Sequence, residues 1–128
     1  MTERLELYKC TVCGNMVEVI LPSIGELFCC GKPMQLLKAN EQDDIAEKHL
    51  PVFVEKEDGI EVRIGTTLHP MTEEHYIQFI ETIFDNKNHV ELQYYKPQDM
   101  PILVLKEKLG LEKARAFCNL HGLWESEL

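Results

Sequence analysis

Alternating apolar and polar positions recur along this chain and predict short β-strands. The clearest case is residues 60–64, Ile-Glu-Val-Arg-Ile, where every second side chain is apolar. A period of two is typical of a strand with one buried face. Residues 52–54 precede it, and the intervening Lys56-Glu57-Asp58-Gly59 ends in Asp-Gly, a frequent hairpin signal. Residues 52–64 are therefore predicted to form a β-hairpin.

Shorter runs of the same kind predict further strands at residues 5–9, 16–21, 76–84, 90–94 and 102–105. The run 76–84 also suits a helix, but its β-branched and aromatic content favours a strand. Several short strands bounded by turns are typical of a β-sandwich. The fold is therefore predicted to be mainly β.

Three stretches depart from this strand pattern. Residues 40–50 are polar and are predicted to be a linker. Residues 106–115 have helical composition that Gly110 interrupts, which predicts a short helix or turn. The segment 69–75 contains Pro70, which blocks regular structure, so a loop is expected there.

The first 38 residues differ from the rest in size, charge and cysteine content. They carry four Lys/Arg and four Asp/Glu, whereas residues 39–128 carry nine and eighteen and hold the whole net charge of −9. A segment of this length cannot bury a sizeable core, so a structural metal is the obvious source of stability. A boundary at residue 38 follows, with domains at 1–38 and 39–128.

Composition also restricts the partners and the compartment. The acidic balance disfavours nucleic acid, because binding to phosphates needs clusters of Lys and Arg. No apolar run approaches the roughly 20 residues of a membrane span. The charged N-terminus lacks a signal-peptide core, so a cytoplasmic location with reduced cysteines is expected.

Four of the five cysteines lie between residues 10 and 30 and predict a metal site. Cys10 and Cys13 form a Cys-x2-Cys knuckle, and Cys29 and Cys30 are adjacent. Four thiolates bind zinc or a single iron, and the ligand type does not choose between them. Adjacent side chains normally diverge, so a distorted tetrahedron is expected. The alternatives are a vicinal disulfide or ordinary buried cysteines.

A second site is suggested by Cys118 and His121, which are separated by two residues close to the C-terminus. His49, His69 and His75 have no obvious other use. Four imidazoles and one thiolate would leave one octahedral position open, which implies chemistry rather than structure. Three distant segments must converge for this, so ordinary surface or core histidines remain the alternative. His89 lies in a polar turn and is read as such an ordinary residue.

The motifs resemble known families. Cys-x2-Cys-Gly followed by Cys-Cys-Gly-x-Pro-Met, within residues 5–37, resembles desulforedoxin and the N-terminal module of desulfoferrodoxin. Three further stretches resemble the signature segments of superoxide reductase. They are residues 47–51 (Glu-Lys-His-Leu-Pro), 69–77 (His-Pro-Met-x3-His-Tyr-Ile) and 118–124 (Cys-Asn-Leu-His-Gly-Leu-Trp). Two departures are residues 97–113, which match no family pattern, and Leu50, where the family has Val or Ile.

This resemblance implies a small rubredoxin-like domain followed by an immunoglobulin-like β-sandwich, each with one iron. It implies an iron held by four cysteines in the first domain. In the second, it implies equatorial histidines and an axial Cys118, the histidines being His49, His69, His75 and His121. Glu47 would take the sixth position in the ferric state, and Lys48 would attract superoxide and assist protonation.

The implied reaction is O2•− + e− + 2H+ → H2O2, with superoxide as substrate. The resemblance also implies rubredoxin or a similar small protein as electron donor, and a homodimer is expected. Two other functions remain open, namely a zinc-ribbon module on a binding β-sandwich and a pure electron carrier. Both leave Cys118 and the upstream histidines without a purpose.

Overall fold

The computed structural model describes residues 1–41 and 43–128 of the chain. These residues form two compact units, Met1–Lys38 and Ala39–Leu128. Both units consist mainly of β-strands, which confirms the predicted fold class. In the described part of the chain, no helix has the length and apolar character needed to cross a membrane.

The first unit contains five very short strands. They are β1 (Leu7–Lys9), β2 (Met16–Glu18), β3 (Phe28–Cys29), β4 (Lys32–Pro33) and β5 (Gln35–Leu36). Strand β1 lies between β2 and β5 in an antiparallel sheet, and β3 pairs with β4. The predicted strands 5–9 and 16–21 exist but are shorter. Leu5 has a left-handed backbone (φ 71°), which is incompatible with extension of β1.

The described residues of the second unit form one helix and seven strands. These are α1 (Asp43–His49), β6 (Pro51–Lys56), β7 (Gly59–Ile64), β8 (Ile77–Phe84), β9 (His89–Tyr94), β10 (Ile102–Leu105), β11 (Leu111–Cys118) and β12 (Gly122–Glu127). The strands form two antiparallel sheets with the orders β10-β7-β6 and β12-β11-β8-β9. The predicted hairpin is confirmed as β6–β7, and the predicted strands at 76–84, 90–94 and 102–105 are β8, β9 and β10.

The two sheets enclose one apolar core, as a β-sandwich requires. It is built from alternate residues of both sheets, including Ile60, Val62 and Ile64 of β7, and Ile80 of β8 with Ala114 of β11. Seven strands divided three and four match the immunoglobulin-like expectation. The fourth strand of the sandwich, β9, pairs with β8 in the larger sheet. In a constant-type immunoglobulin domain the fourth strand lies on the other sheet.

Two predicted elements differ from the structure. The stretch 40–50 is not a linker, because residues 43–49 form α1; Gln42 lies outside the described residues. The last turn of α1 carries Lys48 and His49. The positive charge of Lys48 and the ring nitrogen of His49 suit the carbonyls at a helix C-terminus. Within the predicted helix or turn at 106–115, residues 109–110 do form a turn, but residues 111–115 belong to strand β11, which begins at Leu111. It pairs with β8 on one side and β12 on the other, which overrides helical propensity.

The segment 97–113, which matched no family pattern, contains β10 and the start of β11. Tyr95 anchors the entrance to this segment, since its hydroxyl donates a hydrogen bond to the carbonyl of Ile102 at 2.7 Å. Burial raises the pKa of this phenol. In this region β10 pairs with β7 and forms the edge of the smaller sheet.

Candidate metal centres

The four clustered cysteines of the first unit converge on one point. The sulfurs of Cys10, Cys13, Cys29 and Cys30 all lie within 4.8 Å of one another, and all five cysteines of the chain are free thiols. Backbone N–H groups of Val12 and Cys13 donate to Cys10 Sγ at 3.4 Å. These bonds lower the pKa of Cys10 to about 6, which favours the thiolate that a metal needs.

The adjacent cysteines fit a shared tetrahedron. Their sulfurs lie 3.9 Å apart, and Cys13 Sγ lies 3.6 Å from Cys29 Sγ. A tetrahedron with metal–sulfur bonds of 2.3 Å has edges of about 3.8 Å. Cys30 has a left-handed backbone (φ 53°), which re-aims its side chain relative to an extended strand. This explains how two neighbouring residues can face one centre.

The second donor set is assembled from three segments of the sandwich. His49 ends helix α1, His69 and His75 lie in the loop between β7 and β8, Cys118 ends β11, and His121 lies in the β11–β12 turn. Gly122 follows that turn with a left-handed backbone (φ 81°), which glycine adopts without a steric cost. The ligand atoms of His49, His75, Cys118 and His121 lie within 4.8 Å of one another.

The four imidazole rings form a square, and this is the central observation of the site. In the order His49, His69, His75 and His121, neighbouring ring centroids lie 4.6, 4.5, 5.0 and 4.9 Å apart. The diagonal from His49 to His75 is longer, at 6.0 Å. Neighbouring rings are nearly perpendicular, with interplanar angles of 75° to 90°.

Two neighbouring pairs of these nitrogens have the spacing of ligands on one ion. His49 Nε2 lies 3.1 Å from His121 Nδ1 and 3.2 Å from His69 Nε2. Nitrogens bound at about 2.1 Å and at right angles are about 3.0 Å apart. His121 thus presents Nδ1, whereas His49 and His69 present Nε2. The residues fit a metal ion.

The hydrogen bonds made by Nδ1 of His49 and of His69 show which nitrogen of each ring carries the lone pair. His49 Nδ1 lies 2.8 Å from the carbonyl of Ile45, and His69 Nδ1 lies 2.7 Å from that of Pro70. A carbonyl only accepts, so both Nδ1 atoms carry the proton and both Nε2 atoms are bare acceptors. Two facing lone pairs at 3.2 Å repel each other unless a cation lies between them.

His75 adds a third sign that the site is built for a cation. Its Nε2 is one of three side-chain nitrogen or oxygen atoms that are buried without a hydrogen-bond partner among the described residues. A buried polar atom of this kind needs a partner such as an ion. Burial lowers the pKa of His49 and His75, and that of His69 to about 4. Neutral imidazoles are the form that binds metal.

Cys118 is fully buried, and its sulfur lies 3.9 Å from His121 Nδ1. Burial raises the pKa of this thiol, while the backbone N–H of His121 donates to the sulfur at 3.4 Å and opposes that shift. The backbone N–H of His121 thereby places partial positive charge beside a sulfur that lies in an apolar environment. A bound cation would stabilise the thiolate further.

Glu47 and Lys48 lie next to this set, at the exposed end of α1. The Glu47 carboxylate accepts a hydrogen bond from Thr67 at 3.4 Å. The charge of Lys48 contributes, after burial, to the lowered pKa of His49 and His75. Lys48 is therefore within electrostatic reach of the imidazoles. His89 is exposed at the start of β9, where it meets the ring of Phe84 edge-on.

Trp124 and Asn119 support the second site, and the sequence reasoning assigned them no role. Trp124 is fully buried and stacks on His49, with ring centroids 4.8 Å apart. Its indole N–H donates to the carbonyl of His121 at 3.2 Å. Asn119 bonds to the segment of His75. Their position beside Cys118 and His121 was the only available signal.

Two donor sets of this kind, one of four thiols and one of imidazoles with a thiol, define a class of non-haem metalloprotein with two candidate centres. Comparison with known families identifies the family within this class. The family model "Desulfoferrodoxin, N-terminal domain" matches residues 2–37, and the model "Desulfoferrodoxin" matches residues 41–127. The chain belongs to the desulfoferrodoxin family.

Individual proteins agree with this assignment. The chain is 50% identical to a desulfoferrodoxin from Syntrophotalea carbinolica over 127 residues, 99% of either chain. The superoxide reductase structure from Treponema pallidum has the same fold, with a TM-score of 0.72, 23% identity and coverage of 97% and 99%. A one-iron superoxide reductase from Giardia intestinalis matches 64% of this chain and 97% of its own, at 32% identity and a TM-score of 0.53.

Proposed function

We propose that this chain is a superoxide reductase, which catalyses O2•− + e− + 2H+ → H2O2 at an iron held by Cys118 and four histidines, namely His49, His69, His75 and His121. The square of imidazoles with facing lone pairs carries this proposal. Four nitrogens and one sulfur would hold the metal, and the family membership supports iron as that metal. When bound, iron would supply the electron that superoxide takes up.

The protein's own part begins with a preformed set of neutral donors. Burial disfavours protonation of His49, His69 and His75, so protons compete weakly with the metal. Carbonyls of Ile45 and Pro70 hold two of these rings in one tautomer. Such partners orient ligands and raise their basicity. Cys118 would hold the metal through its sulfur and would lend electron density to the bound ion, as thiolates do in haem enzymes.

Lys48 is proposed to draw the anionic substrate inward and to provide a proton path. The chain carries a net charge of −9, which repels superoxide at long range. An exposed ammonium that already acts on the pKa of His49 and His75 supplies a local field of the opposite sign. Glu47 is proposed as a further residue that would hold the metal once it is oxidised; its carboxylate is exposed and held only by Thr67 among the described contacts.

The first unit, residues 1–38, is proposed to be a desulforedoxin-like domain with one iron on Cys10, Cys13, Cys29 and Cys30. Four thiolates stabilise zinc as well as iron, and the family membership favours iron. Such a centre exchanges one electron at a time, which suits the stoichiometry of the proposed reaction. Residues 39–128 are proposed to be the catalytic domain.

Three further features belong to the proposal. A rubredoxin-like small protein is the proposed electron donor. A homodimer is supported by the outer face of the larger sheet, where Leu92 and Tyr94 of the edge strand β9 are 43% and 77% exposed. A cytoplasmic location is supported by the free thiols of both donor sets, which need a reducing compartment.

Product stoichiometry tests the function. Protein reconstituted anaerobically with ferrous iron is mixed with a measured amount of superoxide, together with a reductant, and H2O2 and O2 are quantified. Reduction yields one H2O2 per superoxide and no O2. Dismutation yields half as much H2O2 together with O2, and that result would overturn the proposal. Metal analysis of the same sample distinguishes two irons from a zinc module or a single-iron carrier.

A further inference from the structure

Asn119 connects the two segments that carry Cys118 and His75. Its side-chain Oδ1 accepts a hydrogen bond from the backbone N–H of Tyr76 at 2.8 Å, and its Nδ2 donates to the carbonyl of Glu74 at 3.0 Å. Its backbone N–H also donates to the carbonyl of Tyr76 at 3.2 Å. One residue therefore binds the chain immediately before and immediately after His75.

The position of Asn119 explains why a side chain takes this role. The pairing of β8 with β11 shifts register at its end and stops at Ile77 and Cys118. Beyond Cys118 the chain turns into β12, and the backbone N–H of Asn119 on the carbonyl of Tyr76 is the last backbone bond of this ladder. A carboxamide carries one acceptor and one donor group, like a peptide. Asn119 continues the ladder with its side chain.

The loop of His75 is closed locally but needs this external anchor. The N–H of His75 donates to the carbonyl and the hydroxyl of Thr72 at 3.2 Å, and the N–H of Thr72 donates to the carbonyl of His75 at 3.0 Å. These bonds shape the turn from within. They do not set its distance from His121, whose ring centroid lies 5.0 Å from that of His75.

We infer that Asn119 is a positioning residue, which holds His75 at the spacing from Cys118 and His121 that one metal ion requires. The inference rests on the proposed function only as far as His75 is a metal ligand. Asn119 touches neither the ring of His75 nor the reacting atoms in the contacts described, and it acts through the backbone on both sides of that ligand.

Cobalt(II) binding to the full-length protein tests this without any measurement of turnover. Trp124 is the single tryptophan and stacks on His49, so its fluorescence reports occupancy of the second site. Asn119→Ala is expected to weaken Co²⁺ affinity there about 10- to 100-fold, as loss of a partner that orients a ligand does. Gln93→Ala, which removes an exposed carboxamide from the same sheet, is the matched control and should leave the affinity unchanged.

A double-mutant cycle separates positioning from general support of the fold. In a His75→Ala background, Asn119→Ala should change the remaining Co²⁺ affinity less than twofold, because the ligand through which it acts is gone. In a His69→Ala background the 10- to 100-fold loss should persist. Equal losses in both backgrounds, or no loss in the otherwise native chain, would overturn the inference.

The same measurements distinguish the positioning role of Asn119 from the proposed superoxide reductase activity. Tight Co²⁺ binding that depends on Asn119 as described, in a protein that does not reduce superoxide, supports the inference and overturns the proposed function. A protein that reduces superoxide but binds Co²⁺ equally well with Asn119→Ala overturns the inference and leaves the proposed function standing.

Discussion

The Nε2 atoms of His49 and His69 face each other across 3.2 Å in a buried position, and both are acceptors. Each ring has committed its Nδ1 proton to a backbone carbonyl. The pair cannot bond to itself, so the folded chain holds a repulsion that a cation removes. Metal binding and stability of the sandwich are therefore linked.

Metal loading should raise the stability of the second unit. At a free metal concentration one hundred times the dissociation constant, linkage contributes about 2.7 kcal/mol. Thermal unfolding followed through Trp124 fluorescence should show a higher midpoint with ferrous iron or Co²⁺ than with EDTA. The double variant His49→Ala/His69→Ala should show no metal-dependent shift. A shift of native size in that variant would contradict the assignment.

Cys118→Ser should remove only the spectroscopic signature of the second site. A serine oxygen supplies no sulfur-to-metal charge transfer, so the absorption band that this thiolate gives with oxidised iron should disappear. The bands of the four-cysteine centre should remain. Cys13→Ser, in the knuckle of the first unit, is the converse control and should alter those bands instead. Visible absorption of the two iron-loaded variants decides this.

Lys48→Ala should slow the reaction with superoxide and flatten its dependence on ionic strength. The reason is the loss of the local positive field in an acidic protein. Lys56→Ala removes the same charge at the far end of β6, about 17 Å along the strand from Pro51, and should change neither quantity. Pulse radiolysis over a range of salt concentrations measures both. An unchanged second-order rate with Lys48→Ala would rule out this role.

Gly65→Ala should destabilise the second unit more than Gly122→Ala. Both glycines are left-handed, with φ of 91° and 81°. At Gly65 an added Cβ would also lie 2.2 Å from the carbonyl oxygen of Thr67 and 2.8 Å from that of Lys48, whereas at Gly122 nothing lies within 4 Å.

Backbone strain alone costs about 1–2 kcal/mol, which is the expected loss for Gly122→Ala. The overlap at Gly65 adds to it and displaces the chain beneath Lys48. Urea denaturation of the two variants gives the difference in the free energy of unfolding. Equal losses would show that the close approach at Gly65 is relieved at no cost.

Local pattern was enough to predict most of the sandwich. The alternation in residues 60–64 has a period that only a strand satisfies, and β7 is found there with all three apolar side chains buried. Resemblance predicts the motif residues as ligands. The structure brings the donor atoms of all five cysteines and of His49, His75 and His121 together in two sets, with His69 Nε2 3.2 Å from His49 Nε2.

Helix α1 and strand β11 contradict the prediction from local pattern. Helix α1 has seven residues, too few for intrinsic propensity to stabilise it in isolation, and its last residue, His49, is buried beneath Trp124. Strand β11 has helical composition at its start, but β8 and β12 pair with it on both sides. Contacts distant in sequence decide both cases.

The sequence by itself determined which residue types carry the chemistry, since the knuckle, the adjacent cysteines and the Cys-x2-His tail are local patterns. Only the tertiary structure decided the order of the imidazoles around the square, the nitrogen that each presents, and the anchoring of His75 by Asn119. These depend on side chains 43 to 72 residues apart. Hydrogen bonds and packing between such distant segments form only when the two sheets close around their common core.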